Sequence, residues 1–126
     1  MKKVLALCVL AVSLTLASCS DGSFVDKVAI TNPTEYPATV DVHGTGQGST
    51  DLATVVADSE MTIHDVYDQG DRWIFRFTYS GYRQELELSR DQLAHDGWRV
   101  MIPSSFETHL RTRGVQPPRE HERNER

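Results

Sequence analysis

The fold is decided by residues 72–89, RWIFRFTYSGYRQELELS, in which two runs of alternating apolar and polar residues flank a Ser-Gly pair. Alternation with a period of two is typical of a strand with one buried face, and two such residues between strands favour a tight hairpin turn. With Ser80-Gly81 as the turn, one face carries the pairs Tyr79 and Tyr82, Phe75 and Leu86, and Trp73 and Leu88. The other face carries Arg76 opposite Glu85, a pair of opposite charge. We therefore expect an antiparallel hairpin whose aromatic face lies in the core.

Apolar residues recur at alternate positions in four other short runs: Val28 and Ile30, Val40 and Val42, Met61 and Ile63, and Trp98, Val100 and Ile102. Turn-forming residues separate these runs, so they predict several short strands. One short helix is expected after the hairpin, because Ser89 and Gln92 have the spacing of a capping box and Gly97 is placed to end it. The sequence therefore predicts an all-β fold: a small antiparallel β-sandwich (immunoglobulin-like) or barrel with one short connecting helix.

The N-terminal segment has the order of residues found in a bacterial lipoprotein signal. The positive Lys2-Lys3 precedes an apolar run, residues 4–16, that is shorter than the roughly 20 residues needed to cross a bilayer. The run ends in Leu16-Ala17-Ser18-Cys19, which resembles the lipobox of bacterial lipoproteins. That resemblance implies cleavage between Ser18 and Cys19, after which Cys19 carries N-palmitoyl and S-diacylglyceryl groups. The other interpretation is an ordinary secretory signal that happens to end beside a cysteine.

Processing of this kind divides the chain into four parts. The expected parts are residues 1–18, the removed lipoprotein signal peptide; residues 19–23, the lipidated Cys and a short tether; residues 24–103, the β-sandwich domain; and residues 104–126, a charged tail. The end of the tail has no apolar residue, so we expect the tail to be largely disordered. A helical turn or two is expected within Phe106–Arg113, where Ser104 and Glu107 have capping-box spacing.

Charge and cysteine content exclude several functions. The chain has 13 basic and 18 acidic residues, and removal of Lys2 and Lys3 with the signal leaves 11 basic against 18 acidic, a formal net charge of −7. An acidic domain without a basic patch is not expected to bind nucleic acid. Because Cys8 leaves with the signal and Cys19 is acylated, the mature chain has no thiol for catalysis and no disulfide. The expected location is the extracytoplasmic face of the cell membrane, held there by the lipid anchor.

Four segments of the chain carry a resemblance to a known family: Ile30–Thr34 with Tyr36-Pro37, Asp68–Phe77, Leu88–Leu93, and Gly97–Pro103. Together they make residues 25–103 similar to a family of small uncharacterised lipoproteins of actinobacteria. The resemblance implies a compact, β-rich, lipid-anchored domain at the cell membrane. The family has no assigned activity, so the resemblance implies nothing about chemistry.

Three local patterns invite a ligand-binding interpretation and lack the residues that it needs. The glycine-rich run His43–Ser49 has no Gly-Lys-Ser/Thr ending, so we expect a flexible loop whose glycines supply positive φ. Asp65, Asp68 and Asp71 recur at every third position. A calcium loop needs ligands at alternate positions, so this spacing indicates a solvated turn instead. The five histidines are His43, His64, His95, His109 and His121. None has zinc-site spacing, and the alternative is a weak metal site shared by His43 and His64 across two strands.

Catalytic residues are not indicated. Glu85 and Glu87 lie on the same face of one strand and are expected to form a solvent-facing stripe, and the sequence contains no Gly-x-Ser-x-Gly, Ser-x-x-Lys or His-Glu-x-x-His motif. We therefore expect a non-enzymatic, lipid-anchored envelope protein that uses no cofactor and acts through contacts with an envelope protein partner. The first alternative is a ligand- or metal-binding lipoprotein that serves a transporter. A cell-envelope hydrolase is the least favoured interpretation.

Overall fold

The computed structural model describes residues 23–45 and 48–119, which form two β-sheets and two helices. In chain order the elements are β1 (Phe24–Asn32), β2 (Ala38–His43), β3 (Thr50–Val55), β4 (Ser59–Tyr67), β5 (Arg72–Tyr79), β6 (Tyr82–Ser89), α1 (Arg90–His95), β7 (Arg99–Met101) and α2 (Ser104–Thr112). The predicted signal peptide, the predicted cleavage site between Ser18 and Cys19, the Gly46-Gln47 pair and His121 lie outside the described residues.

The β5–β6 hairpin has the register expected from the sequence. Tyr79 pairs with Tyr82, and the remaining predicted pairs follow in order: Phe75 with Leu86, Trp73 with Leu88, and Arg76 with Glu85. Ser80 and Gly81 both have positive φ, at 49° and 79°, as a two-residue type I′ turn requires. The hairpin prediction is confirmed because turn type and alternation specify the same register.

The seven strands form a three-stranded sheet in the order β4-β1-β7 and a four-stranded sheet in the order β3-β2-β5-β6. Two separate sheets around one core confirm the all-β class and select the sandwich from the two predicted architectures. The strand order is not that of an immunoglobulin constant domain, where strands 1, 2, 5 and 4 form one sheet. All pairs are antiparallel except β1 with β7, which run parallel.

The core lies between the two sheets and is richest around β5. Trp73, Phe75 and Phe77 are fully buried, and they face β1 side chains such as Val28 and Ile30 from the opposite sheet. The Trp73 indole keeps a hydrogen bond inside this apolar environment, donating from Nε1 to the Gly70 carbonyl at 3.0 Å. Burial of these aromatic rings stabilises the sandwich through the hydrophobic effect and through ring packing.

Helix α1 forms at the position expected and is capped as expected. The Ser89 hydroxyl accepts from the Gln92 amide at 3.1 Å, and the Ser89 amide donates to Gln92 Oε1 at 2.8 Å, which is a complete capping box. Leu93 is the buried residue of the helix, and Gly97 follows it with a φ of 71°. The connecting-helix prediction is therefore confirmed at both ends.

Helix α2 extends the folded part beyond Pro103, the predicted end of the β-sandwich domain. Phe106 and Leu110 are fully buried, and the Phe106 ring lies 6.4 Å from Phe77 and 5.8 Å from Tyr82. The sandwich therefore has two helices, and the second closes one end of its core. The expected capping box is absent, since the N-cap is Pro103 without a side-chain hydrogen bond.

Two polar contacts fasten the segment around α2 to the chain before β2. The Tyr36 hydroxyl donates to the Val115 carbonyl at 2.5 Å, and burial raises the pKa of Tyr36 above its ordinary value. Arg111 bridges Glu35 at 2.5 Å and Glu107 at 3.1 Å. The chain is therefore tied to the core through at least Val115.

Strand β4 departs from the expected alternation. Ile63 is half-buried, but Met61, expected to face inward, is 41% exposed. The position of β4 explains this exposure: β4 is an edge strand, and the Met61 side chain extends past the margin of the core.

Neither helix in the described residues is long and apolar enough to cross a membrane.

Candidate functional site on the three-stranded sheet

A shallow groove crosses the outer face of the three-stranded sheet at Ala29. The register places Lys27 opposite His64, and it places Ala29 between Thr62 on β4 and Arg99 on β7. Because the Ala29 side chain is a single methyl group among longer neighbours, the sheet surface is depressed at this point. The groove has a volume of about 440 Å³ and is lined by Lys27, Ala29, Glu60, Thr62, His64, Trp98 and Arg99.

The groove is locally cationic on an acidic protein. Lys27 and Arg99 are exposed and have no ion pair within 4.0 Å among the described residues, whereas Arg72, Arg76, Arg90 and Arg111 each have at least one. His64 lies beside them, and Glu60 is the one acidic side chain that lines the groove. Cations without an intramolecular partner attract anionic groups, so this face favours a negatively charged ligand or peptide.

Trp98 forms the wall of the groove and has an unusual backbone conformation. Its φ is 60°, directly after Gly97 at 71°. A bulky side chain in the left-handed region costs about 1–3 kcal/mol, so the surrounding structure must enforce it. The Trp98 amide donates to the Leu93 carbonyl at 2.7 Å, and its carbonyl accepts from the Ala29 amide at 2.9 Å. Trp98 is therefore fixed between the end of α1 and the centre of β1.

The Trp98 side chain links the groove to the core. It is half-buried, and its ring lies 5.4 Å from the ring of Trp73 in an edge-to-face arrangement. The Arg90 guanidinium lies 5.4 Å from the Trp98 ring centroid and also pairs with Asp68. The expected inward alternation holds for Val100 and Ile102, but Trp98 lies at the seam between core and groove.

Exposed apolar side chains concentrate on the same sheet. The large exposed hydrophobic residues of the described chain are Phe24, Val56, Met61, Tyr67 and Met101. Four of these five belong to β1, β4 or β7, and only Val56 lies elsewhere, between β3 and β4. Met101 is 62% exposed and pairs with Thr31, next to the groove. The exposed apolar side chains therefore lie at both ends of the sheet, with Phe24 and Tyr67 at one end and Met101 at the other.

Two arginines on the outer face of the four-stranded sheet, Arg72 and Arg76, are paired with carboxylates of the same sheet. Arg76 donates to both carboxylate oxygens of Asp41, at 3.0 and 2.5 Å, and this hydrogen bonding raises the Arg76 pKa. The sequence predicts Arg76 opposite Glu85, and the two are cross-strand neighbours. The Arg76 guanidinium nevertheless donates its hydrogen bonds to Asp41 on β2. Glu87 pairs with Arg72 at 3.5 Å, so the expected acidic stripe is partly neutralised.

The glycine-rich run is a loop, but its described glycines have a different role from the one expected. Neither Gly44 nor Gly48 has positive φ. Gly44 is buried, and a Cβ at this position would lie 2.3 Å from the Gln69 carbonyl oxygen. Close approach of two backbone segments, not backbone conformation, therefore requires glycine at residue 44.

Replacing Gly44 with alanine is expected to destabilise the protein by about 2–3 kcal/mol, because the backbone of Gln69 cannot move aside as a flexible side chain would. The matched control is Gly48→Ala, whose added Cβ would meet no described atom within 4 Å. We expect the control to lie within about 0.5 kcal/mol of the parent in urea unfolding. Equal unfolding midpoints for the two variants would contradict the close-approach explanation.

The other candidate ligand patterns do not assemble into a site. Asp68 pairs with Arg90 and accepts from the Gly70 amide at 2.9 Å, as in a hydrogen-bonded turn. His43 lies on β2 and His64 on β4, in different sheets. Within residues 23–45 and 48–119, no group of three or more His, Cys, Asp or Glu side chains is arranged to bind a metal.

No protein-family model, curated protein or solved structure matches this chain. Function is therefore argued from the groove and its surroundings. The groove was not found from the sequence, although Ala29 alternates with Lys27 and Thr31 in β1. Its other walls come from β4 and from the Gly97–Arg99 segment, which lie far along the chain, so no local motif marks it.

Proposed function

We propose that this protein is a non-enzymatic, lipid-anchored protein of the cell envelope that binds a partner protein through the outer face of its three-stranded sheet. The observation that carries the proposal is the combination on one sheet of exposed Met101, the fixed Trp98 wall, and the cations Lys27 and Arg99 without ion pairs among the described residues. Aromatic, Met and Arg side chains are enriched in protein interfaces, and Trp and Arg frequently dominate their energetics.

The chemistry of the face favours a partner segment that is acidic and carries an apolar side chain. Lys27 and His64 lie opposite each other, and Arg99 lies opposite Ala29, two residues further along β1, so donors to carboxylates come from all three strands of the sheet. Trp98 and Met101 offer apolar contact at the β7 margin. Charge complementarity across such a surface raises the association rate and selects against cationic partners.

The groove itself favours a second function, the binding of a small anionic ligand for a transporter. Its volume of about 440 Å³ falls within the range of small-molecule sites, about 300–1,000 Å³. A thermal-shift series with inorganic phosphate and common carboxylates separates the two functions, since a ligand at 100 times its Kd stabilises by about 2.7 kcal/mol. A shift that Arg99→Glu abolishes would favour the ligand, and no shift would favour the partner protein.

The partner proposal is tested by crosslinking in intact cells with the parent, Arg99→Glu and Arg83→Glu. Arg83 is the matched control, because it is also an exposed strand arginine without an ion pair among the described residues, but lies on β6 of the other sheet. We expect the parent and Arg83→Glu to capture the same partner, and Arg99→Glu to capture about tenfold less. Capture that is equally strong with Arg99→Glu, or lost only with Arg83→Glu, would overturn the proposed surface.

The anchor is tested separately with Cys19→Ala. Without the thiol there is no acyl acceptor, so we expect the protein to leave the membrane fraction or to accumulate as the uncleaved precursor. Membrane fractionation and gel migration identical to those of the parent would contradict the lipoprotein assignment.

A further inference from the structure

Two exposed aromatic rings pack against each other at the end of the three-stranded sheet nearest the N-terminus. Phe24 begins β1 and Tyr67 ends β4; they are paired in register, and their ring centroids are 4.5 Å apart. Phe24 is 52% exposed and Tyr67 is 55% exposed, so about half of each ring remains in contact with solvent. The two ring planes are tilted by 32° and the rings are in contact, so they form one apolar platform. Apolar area left in water favours burial against another surface.

The position of this platform along the chain fixes what it faces once Cys19 is acylated. The β1–β4 pairing continues to Ser23, whose carbonyl accepts from the Asp68 amide at 3.0 Å. Only residues 20–22 separate Ser23 from Cys19, and four residue steps of at most about 3.6 Å span roughly 14 Å. Phe24 is one step further along the chain, so an acylated Cys19 holds the Phe24–Tyr67 pair within roughly 18 Å of the lipid headgroups.

We infer that Phe24 and Tyr67 form a membrane-contact platform that seats the sandwich on the lipid surface and orients its groove. The inference rests on the proposed lipid anchor. Tyrosine is favoured at the membrane–water boundary because its ring is apolar and its hydroxyl remains hydrated. Asp26 and Asp65 are exposed beside the platform, so the contact is apolar and suits zwitterionic headgroups better than anionic ones.

Contact of the Phe24–Tyr67 platform with the membrane sets the distance between the membrane and the proposed partner surface. Met101 pairs with Thr31, seven residues along β1 from Phe24, which corresponds to roughly 23 Å of extended strand. The groove at Ala29 lies between these two ends of the sheet. The platform thus places the cationic groove above the headgroups, within reach of the extracytoplasmic part of a membrane-bound partner.

The test is hydroxyl-radical footprinting of the mature lipidated chain in phosphatidylcholine vesicles, compared with the same chain carrying Cys19→Ser in solution. We expect oxidation of Phe24 and Tyr67 to fall about fivefold in vesicles, as half-exposed rings become mostly covered. Met101 is the internal control, since it is 62% exposed at the opposite end and should oxidise equally in both samples. Unchanged oxidation of Tyr67 in vesicles would overturn the platform, as would equal protection of Met101.

Two further samples separate the platform from simple proximity and from the anchor. In lipidated Tyr67→Ser, oxidation of Phe24 should rise to its level in solution, whereas lipidated Met101→Ser should keep Phe24 protected. If Phe24 stays protected in Tyr67→Ser, the short tether alone covers it and the platform is wrong. The mass of the N-terminal peptide shows independently whether Cys19 is lipidated. An unlipidated Cys19 would contradict both the anchor and the platform. A lipidated Cys19 with both rings still exposed would contradict only the platform.

Discussion

A chain that ends at Pro103 is expected to lose the sandwich fold, although it retains all seven strands. The deletion removes Phe106 and Leu110, both fully buried. Truncating a buried Phe to Ala costs about 3–5 kcal/mol, and truncating a buried Leu costs about 2–5 kcal/mol. It also removes the Val115 carbonyl that accepts from the Tyr36 hydroxyl. Since small domains have a total stability of about 5–15 kcal/mol, the loss is comparable with the whole.

The control for this deletion is a chain that ends at Pro118. It keeps α2 and the Tyr36–Val115 hydrogen bond and removes only residues 119–126, none of which is apolar. Near-ultraviolet circular dichroism and urea unfolding should show a folded control within about 0.5 kcal/mol of the parent. They should show no cooperative transition for the chain ending at Pro103. A cooperative transition of that shorter chain within about 1 kcal/mol of the parent would return the domain boundary to Pro103.

The parts of the fold that follow from local rules were predictable from the sequence. The β5–β6 register follows from the Ser80-Gly81 turn and the alternation beside it, because a shift of one residue would expose every aromatic ring. The α1 capping box follows from two residues three positions apart. Both features are settled by side chains within a few residues of each other, so no knowledge of the rest of the chain is needed.

The parts that depend on distant segments were not predictable. Phe106 and Leu110 have helical spacing within a polar stretch, and only the open end of the sandwich near Phe77 explains their burial. Arg76 has an acidic neighbour on each side, and the choice of Asp41 over Glu85 depends on β2 pairing with β5. Such contacts join residues far apart in sequence, where local periodicity carries no information.

The candidate site belongs to this second group. The depression at Ala29 exists because β4 and β7 flank β1, and β7 arrives from the other end of the chain in a parallel pairing. Trp98 was expected to continue a strand, but its backbone is held in the left-handed region by Leu93 and Ala29. The sequence contains the residues of the groove without any spacing that brings them together.

Asn32→Ala is expected to destabilise the protein by about 3–5 kcal/mol, a large effect for one polar side chain. Asn32 is fully buried, and its Nδ2 donates to the carbonyls of Tyr36 at 2.8 Å and Val55 at 3.0 Å. Its Oδ1 accepts from the Thr34 amide at 3.0 Å and the Thr34 hydroxyl at 2.7 Å. One amide thus joins the end of β1 to the chain before β2 and to the end of β3. Each buried group left without a partner costs about 1–3 kcal/mol.

Two substitutions make the Asn32 prediction specific. Asn32→Asp keeps the shape and the Oδ1 acceptor but directs a carboxylate oxygen at the Tyr36 and Val55 carbonyls, so it should be at least as damaging as Asn32→Ala. Thr39→Ala removes an exposed hydroxyl contact, 3.3 Å from the Thr54 hydroxyl, and should cost no more than about 0.5 kcal/mol in urea unfolding. If the free energy of unfolding of Asn32→Asp equals that of the parent, the Oδ1 acceptor alone stabilises the segment between β1 and β2. The two donated hydrogen bonds would then contribute nothing, because a carboxylate in that position cannot donate either of them.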